Sequence, residues 1–208
     1  MNVKQAYNEW ADQYDSNANR TRDMESTALR QSLKDIPFQS CLEIGCGTGK
    51  NTEWLQSKSE KVLAVDMSEA MLQKAKEKIN SDKVTFYQAD ILQPWTFVNS
   101  VFDLVVFSLM LEHIENLDEI FKRTRSVTAK GAHVYIGELH PFKQYTGTKA
   151  RFENEMGKHI VTCFNHNLSD FTQAAKKYGF DIVNIDEYFD DDDRNDLPRI
   201  LTIVLERK

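Results

Sequence analysis

The segment Cys41-Leu42-Glu43-Ile44-Gly45-Cys46-Gly47-Thr48-Gly49-Lys50-Asn51-Thr52 runs an apolar stretch into three alternating glycines. Glycines at such a turn let the backbone bend sharply and approach a ligand with no Cβ in the way. A dinucleotide fingerprint spaces its third glycine one residue further on, so that a pyrophosphate sits over a helix N-terminus. Here the spacing is G-x-G-x-G, and Glu43 lies two residues before the first glycine. That carboxylate repels a pyrophosphate and suits a cationic amino group. Two further acids follow. Asp66 closes the apolar run Lys61–Asp66 about twenty residues after the loop, where a ribose diol lies in this topology. Asp90 follows the run Val84–Gln88 and is placed to accept from an exocyclic amine such as that of adenine.

Groups able to move a proton cluster after two later apolar runs. His113, with Glu112, follows Phe102–Ser108, and Glu138 and His140 follow or end His133–Glu138; all lie on the edge where open α/β sheets bind ligands. His113 is the first choice for a general base, which is needed only where an acceptor must lose its proton early. The other reading of Glu112 and His113 is local hydrogen bonding at the start of a helix. Phe142, Tyr145, Phe152, His159, Phe164 and His166 sit among polar residues and suit either an aromatic acceptor pocket or a small satellite core. Asp190 to Asp193 lack the spaced ligands of a calcium loop and read as a solvated hairpin tip. Cys41, Cys46 and Cys163 have no zinc-ligand spacing and read as free thiols, so no metal is expected. Trp54 and Met71 fall on apolar helix faces and read as core.

The elements that must position these groups alternate in the βαβ manner from about residue 40. The strands are Ser40–Gly45, Lys61–Asp66, Val84–Gln88, Phe102–Ser108 and His133–Glu138, several of them apolar throughout, as strands covered on both faces are. Ser68 caps one helix, and Asn116 with Glu119 forms a capping-box start for another. Gly131 and Gly179 fit helix-ending left-handed positions. Phe180–Phe189 and Leu197–Glu206 read as a terminal antiparallel pair. Before residue 40 the pattern predicts helices over Val3–Tyr14 and Asp23–Leu33 with a polar joint, Asn17 to Arg22, too short for a separate domain and suited to covering a site.

The chain has 208 residues with 26 Lys and Arg against 32 Asp and Glu, a formal charge of −6. One domain of residues 1–208 is expected, with no electrostatic attraction to nucleic acid. No apolar run approaches a bilayer span and the N-terminus has no signal-peptide core, so neither a membrane partner nor export is expected and the reading is cytoplasmic.

LEIGCGTG, VLAVDMSEAML, QADI and FDLVVFSLMLEHI together resemble the successive motifs of class I S-adenosylmethionine-dependent methyltransferases of the small-molecule type. The resemblance covers about Ser40 to Glu138. It implies an α/β, Rossmann-like, doubly wound, seven-stranded and mostly parallel sheet with an antiparallel C-terminal strand. It also implies a helical lid (1–36), a cofactor-binding core (37–139), a substrate-covering insert (140–168) and a terminal helix with a strand pair (169–208). By the same resemblance Gly45, Cys46, Gly47, Gly49 and Asn51 line S-adenosylmethionine, Asp66 holds ribose, Met67 packs on adenine, and Asp90 with Ile91 fixes the adenine edge. Ser108 faces the methionine portion, and Tyr14 with Arg20 meets its carboxylate. The acceptor is then a small molecule, and the match fades between His140 and Asn167. Ser108-Leu109-Met110-Leu111 replaces the Asn-Pro-Pro-Tyr type of segment found in DNA amino-methylating enzymes. A nicotinamide-dependent reductase on the same scaffold and a non-catalytic cofactor-binding module are the competing readings, and monomer and homodimer both stay open.

Overall fold

A computed structural model describes residues 2–154 and 157–208. Two short helices come first, α1 (Val3–Trp10) and α2 (Arg20–Leu33). The central run then follows as β1 (Ser40–Ile44), α3 (Lys50–Lys58), β2 (Lys61–Asp66), α4 (Glu69–Lys78), β3 (Val84–Gln88), β4 (Phe102–Ser108), α5 (Leu117–Val127) and β5 (Thr128–Leu139). The remainder is α6 (Pro141–Tyr145), β6 (Arg151–Asn154), β7 (Gly157–Ile160), α7 (Leu168–Lys177), β8 (Phe180–Tyr188) and β9 (Ile200–Arg207).

Seven strands form one sheet in the order β3-β2-β1-β4-β5-β9-β8, and β6 pairs with β7 apart from it. The first five strands run parallel, whereas β9 is antiparallel to both β5 and β8. β1 is buried along its whole length because helices cover both faces, and Leu42, Ile44, Val105 and Phe107 sit in the largest apolar cluster. The chain leaves β1 toward β2 and β3, then returns to β4 on its other side. This reversal opens a crevice beyond the C-terminal ends of β1 and β4, the place where such sheets take ligands.

The terminal antiparallel pair predicted from sequence is present, with β9 inserted between β5 and β8. Ser68 caps α4 by accepting from the Met71 amide at 3.1 Å. Five local expectations shift. α1 ends at Trp10, leaving Tyr14 in a turn, and α2 begins at Arg20 because Asn19 caps it by accepting from the Arg22 amide at 3.1 Å. Gly131 has φ +74° but lies inside β5, where the β4–β5 register jumps from Phe102↔Thr128 to Leu104↔His133; its left-handed turn serves a bulge. Asn116 caps α5 through the Asp118 amide, while Glu119 pairs with Lys122, so the reciprocal half of a capping box is missing. Asp190 leaves the solvated tip to clamp Arg199 at 2.5 and 2.6 Å. Gly179 does end α7, with φ +73°.

α1 lies across α4 and meets the insert. Trp10 stacks on Phe152 with ring centroids 5.5 Å apart, Phe152 stacks in turn on His159 at 5.0 Å, and Ala6, Met71 and Val161 complete the cluster. Phe152 thus takes the satellite-core role, and Phe142 and Tyr145 are exposed. Helical cover and insert therefore hold each other over the crevice. No helix among the described residues is long and apolar enough to cross a membrane.

Candidate functional site

The glycine loop leaves β1 at the crevice. Gly45 has φ +77°, and a Cβ on it would come within 2.9 Å of the Met110 side chain, so only glycine fits. Gly47 (φ +53°) has open space where a Cβ would stand. Gly49 caps α3, and a Cβ on it would meet Ala75 of α4 and Ile79 just beyond that helix. Asp66, at the end of β2, ties the loop down. Its Oδ2 accepts from the Gly47 amide at 2.9 Å and its Oδ1 from the Ser68 amide at 2.8 Å, while burial raises its carboxyl above the usual range.

Three chambers meet over this loop. The first is walled by Asp66, Met67, Asp90, Ile91 and Met71, two acids among apolar side chains. Asp90 accepts from the Leu92 amide at 2.9 Å, which fixes its carboxylate at the rim. The second holds Glu43, Cys46, Asn51 and Ser108 from the expected set, together with Glu25 and Arg22. The third lies under the insert, beside Trp10, Glu112 and Leu139. Tyr14 and Leu109 line all three chambers. Leu109 has φ +51°, a left-handed conformation costly for a branched side chain, and its amide donates to the Gly137 carbonyl at 2.8 Å.

The second chamber is a buried polar network. Thr52 Oγ1 donates to Glu43 Oε2 at 2.5 Å, and burial pushes the Glu43 carboxyl up to about 8. Asn51 Nδ2 donates to Glu25 Oε2 at 3.0 Å and lies 3.1 Å from Ser108 Oγ, and the Tyr135 hydroxyl donates to Glu25 Oε1 at 3.1 Å. Asn51 Oδ1 is buried with no partner among the described residues, an acceptor that a bound donor would satisfy. The guanidinium over the Tyr14 ring, 5.4 Å from its centroid, belongs to Arg22. Arg22 also donates to the Tyr14 and Asn17 carbonyls. Two residues along a helix point to nearly opposite sides. Arg20 accordingly points away from this chamber, into the third one and toward Asp191 at 3.7 Å.

Of the proton-moving candidates, His113 faces the cleft. Its Nδ1 lies 2.7 Å from the Thr162 carbonyl and its Nε2 2.8 Å from the Tyr7 hydroxyl. A carbonyl can only accept, so Nδ1 carries the proton in the neutral ring and Tyr7 donates to Nε2. Glu138 lies beneath the site. Its Oε1 accepts from the Met110 and Leu111 amides at 3.0 and 2.8 Å, holding the turn after β4, and burial pushes its carboxyl up to about 8. His140 caps α6 by accepting from the Phe142 amide at 3.2 Å and meets Glu187 at 2.9 Å, outside all three chambers.

Tyr7, Arg22 and Glu25 were not singled out from the sequence, and Met71, read from it as core, is fully buried in the cluster under α1 and also lines the first chamber. Glu25 had a signal: it stands four and eight residues before Leu29 and Leu33, a charge on the apolar stripe of α2. Among the described residues no group of three His, Cys, Asp or Glu is placed to hold a metal ion, and all three cysteines are free.

Residues 42–136 match the family model described as a methyltransferase domain. An uncharacterized methyltransferase of Emericella nidulans is 23% identical over 86% of this chain and 76% of its own length. A malonyl-[acyl-carrier protein] O-methyltransferase of Anoxybacillus flavithermus is 31% identical over 89% of this chain, which spans 61% of that relative's length. Among solved structures, the N-methyltransferase NodS of Bradyrhizobium japonicum WM9 in complex with S-adenosyl-L-homocysteine superposes with TM-score 0.74. That likeness, at 19% identity, covers 100% of this chain and 99% of the other.

Proposed function

We propose that the chain is a class I S-adenosylmethionine-dependent methyltransferase and that it methylates a small molecule seated in the third chamber. The observation that carries this reading is the convergence of all three chambers on Tyr14 and Leu109. A nucleoside slot and an amino-acid slot are thereby joined to an acceptor space at one point. The lining fits the cofactor. Asp66 would take the ribose hydroxyls, Met67 and Ile91 the faces of the adenine ring, and Asp90 its amine. Glu43, with Asn51 Oδ1, would take the ammonium, and Tyr14 with Arg22 the carboxylate. When bound, S-adenosylmethionine supplies a methyl group made electrophilic by its sulfonium.

The chain's own part is to orient and to exclude water, which is worth roughly 7–11 kcal/mol in favourable cases. Trp10, Tyr14 and the insert close the junction from above. Tyr7 lines both the first and third chambers, and its hydroxyl already donates to His113 Nε2. Burial holds the Tyr7 phenol far above its ordinary range, so it stays neutral. An acceptor that loses a proton can therefore pass it to the Tyr7 oxygen as the Tyr7 proton moves to His113 Nε2, leaving an imidazolium backed by the Thr162 carbonyl. Tyr7→Phe is expected to lower kcat by about ten- to a hundred-fold while leaving cofactor affinity within a factor of two, for an acceptor with an N–H or O–H nucleophile. An unchanged kcat with such an acceptor removes the relay.

Calorimetry tests the reading as a whole. S-adenosylhomocysteine is expected to bind at one site per chain, and labelled methyl from S-adenosylmethionine to appear in a fraction of a metabolite pool. Binding of NADH without binding of S-adenosylhomocysteine would move the chain to the reductases. A tight cofactor site without transfer to any acceptor would make it a binding module.

A further inference from the structure

We propose that the third chamber recognises an oxyanion, so that the acceptor is a small molecule carrying a carboxylate or a phosphate-like group. This names the substrate class for the function proposed above and rests on it. Arg20, Lys149, Arg151 and Arg199 all line the chamber, and Glu112 is the one carboxylate lining it among the described residues. The chain as a whole carries a formal charge of −6, so four cations around one concavity oppose the general balance. They come from three places far apart in sequence: the start of α2, the segment leading into β6, and the start of β9. The fold brings them to one chamber.

The cations are not equally committed. Arg199 is held by Asp190, with its Nη1 on the Thr21 hydroxyl at 3.1 Å, which fixes the guanidinium at the chamber edge. Arg20 stands 3.7 Å from Asp191, both side chains mostly in solvent, a pairing that a ligand can displace at little cost. Lys149 and Arg151 form no ion pair among the described residues and are exposed on the insert side. A concave site lined by a fixed guanidinium and by two cations in no ion pair among the described residues is the arrangement that binds a small oxyanion. Glu112 sits deeper, 5% exposed, with Oε2 buried and without a hydrogen-bond partner among the described residues. Burial raises its carboxyl, which favours the neutral form and reduces its opposition to an anion.

The test titrates the full chain with inorganic phosphate and, separately, with acetate. Both titrations use calorimetry at constant ionic strength, in the presence and absence of S-adenosylhomocysteine. At least one oxyanion is expected to bind saturably with S-adenosylhomocysteine present. Lys149→Ala/Arg151→Ala is expected to weaken that binding at least tenfold and to leave S-adenosylhomocysteine affinity within a factor of two. Lys58→Ala/Lys76→Ala, which removes two charges elsewhere, is expected to change neither. Phosphate binding alone assigns a phosphate-like group, and acetate binding alone a carboxylate. Absence of saturable binding of either probe, or equal binding by the chamber variant, overturns the proposal. Oxyanion binding that depends on Lys149 and Arg151 in a protein that does not bind S-adenosylhomocysteine would instead overturn the methyltransferase reading and leave the chamber's assignment standing.

Discussion

Asp66→Ala is expected to weaken S-adenosylhomocysteine binding by about ten- to a hundred-fold. A hydrogen bond to a charged group contributes about 1.5–3 kcal/mol, and each 1.4 kcal/mol is about a factor of ten. The effect has two sources that can be separated. One is loss of the bonds to the ribose hydroxyls. The other is release of the Gly47 amide, which donates to Asp66 Oδ2 at 2.9 Å and keeps the glycine loop against the end of β2. Asp66→Asn keeps one carbonyl acceptor and is expected to lose less. Hydrogen exchange at the Gly47 amide reports the loop alone: exchange accelerates in Asp66→Ala if the carboxylate is what holds it. Unchanged affinity in calorimetry removes Asp66 from the site.

The parallel half of the sheet was legible because helices cover both of its faces. A strand so placed is mostly apolar on both faces, and β1, β2 and β4 stand out from their amphipathic neighbours. The acids at the strand ends were legible for a related reason, since Asp66 and Asp90 follow such runs at the edge where ligands bind. Local spacing failed where a single bond outweighed it. Asn19 starts α2 three residues earlier than the pattern suggests, and with that turn fixed it is Arg22 that stands over Tyr14. Glu138 and His140 have the chemistry of a base, yet the amides of Met110, Leu111 and Phe142 engage them. The third chamber was beyond reach of any pattern. Residues 18–21, 148–151 and 199 have no common period, and only the crossing of β9 back beside β5 brings Arg199 to the N-terminal helices.

Cofactor affinity is expected to rise with pH up to about pH 8, by as much as a factor of ten per unit. Burial pushes the Glu43 carboxyl up to about 8 in the free protein, so below that pH the group holds its proton. The ammonium of the cofactor favours the carboxylate, because an opposite charge within a few ångströms lowers a carboxyl pKa. Binding therefore expels a proton, and the free energy of that expulsion diminishes as pH approaches the value in the free protein. Calorimetry of S-adenosylhomocysteine in two buffers of different ionisation enthalpy should register close to one proton released at pH 6–7. Glu43→Gln should abolish both the release and the pH slope. The same shift acts on folding in the opposite sense. Because the Glu43 and Glu138 carboxyls are raised in the folded chain, to about 8 in each case, their stabilising contribution is complete below the ordinary carboxyl range. It declines as pH rises through about 8. The free protein should thus melt at progressively lower temperature over the interval in which its cofactor affinity climbs. Saturating S-adenosylhomocysteine, by pairing Glu43, should flatten that decline. A melting temperature that rises across the same interval, or affinity that is indifferent to pH, would show that Glu43 is ionised without the ammonium, and the charge argument for the glycine loop would fail with it.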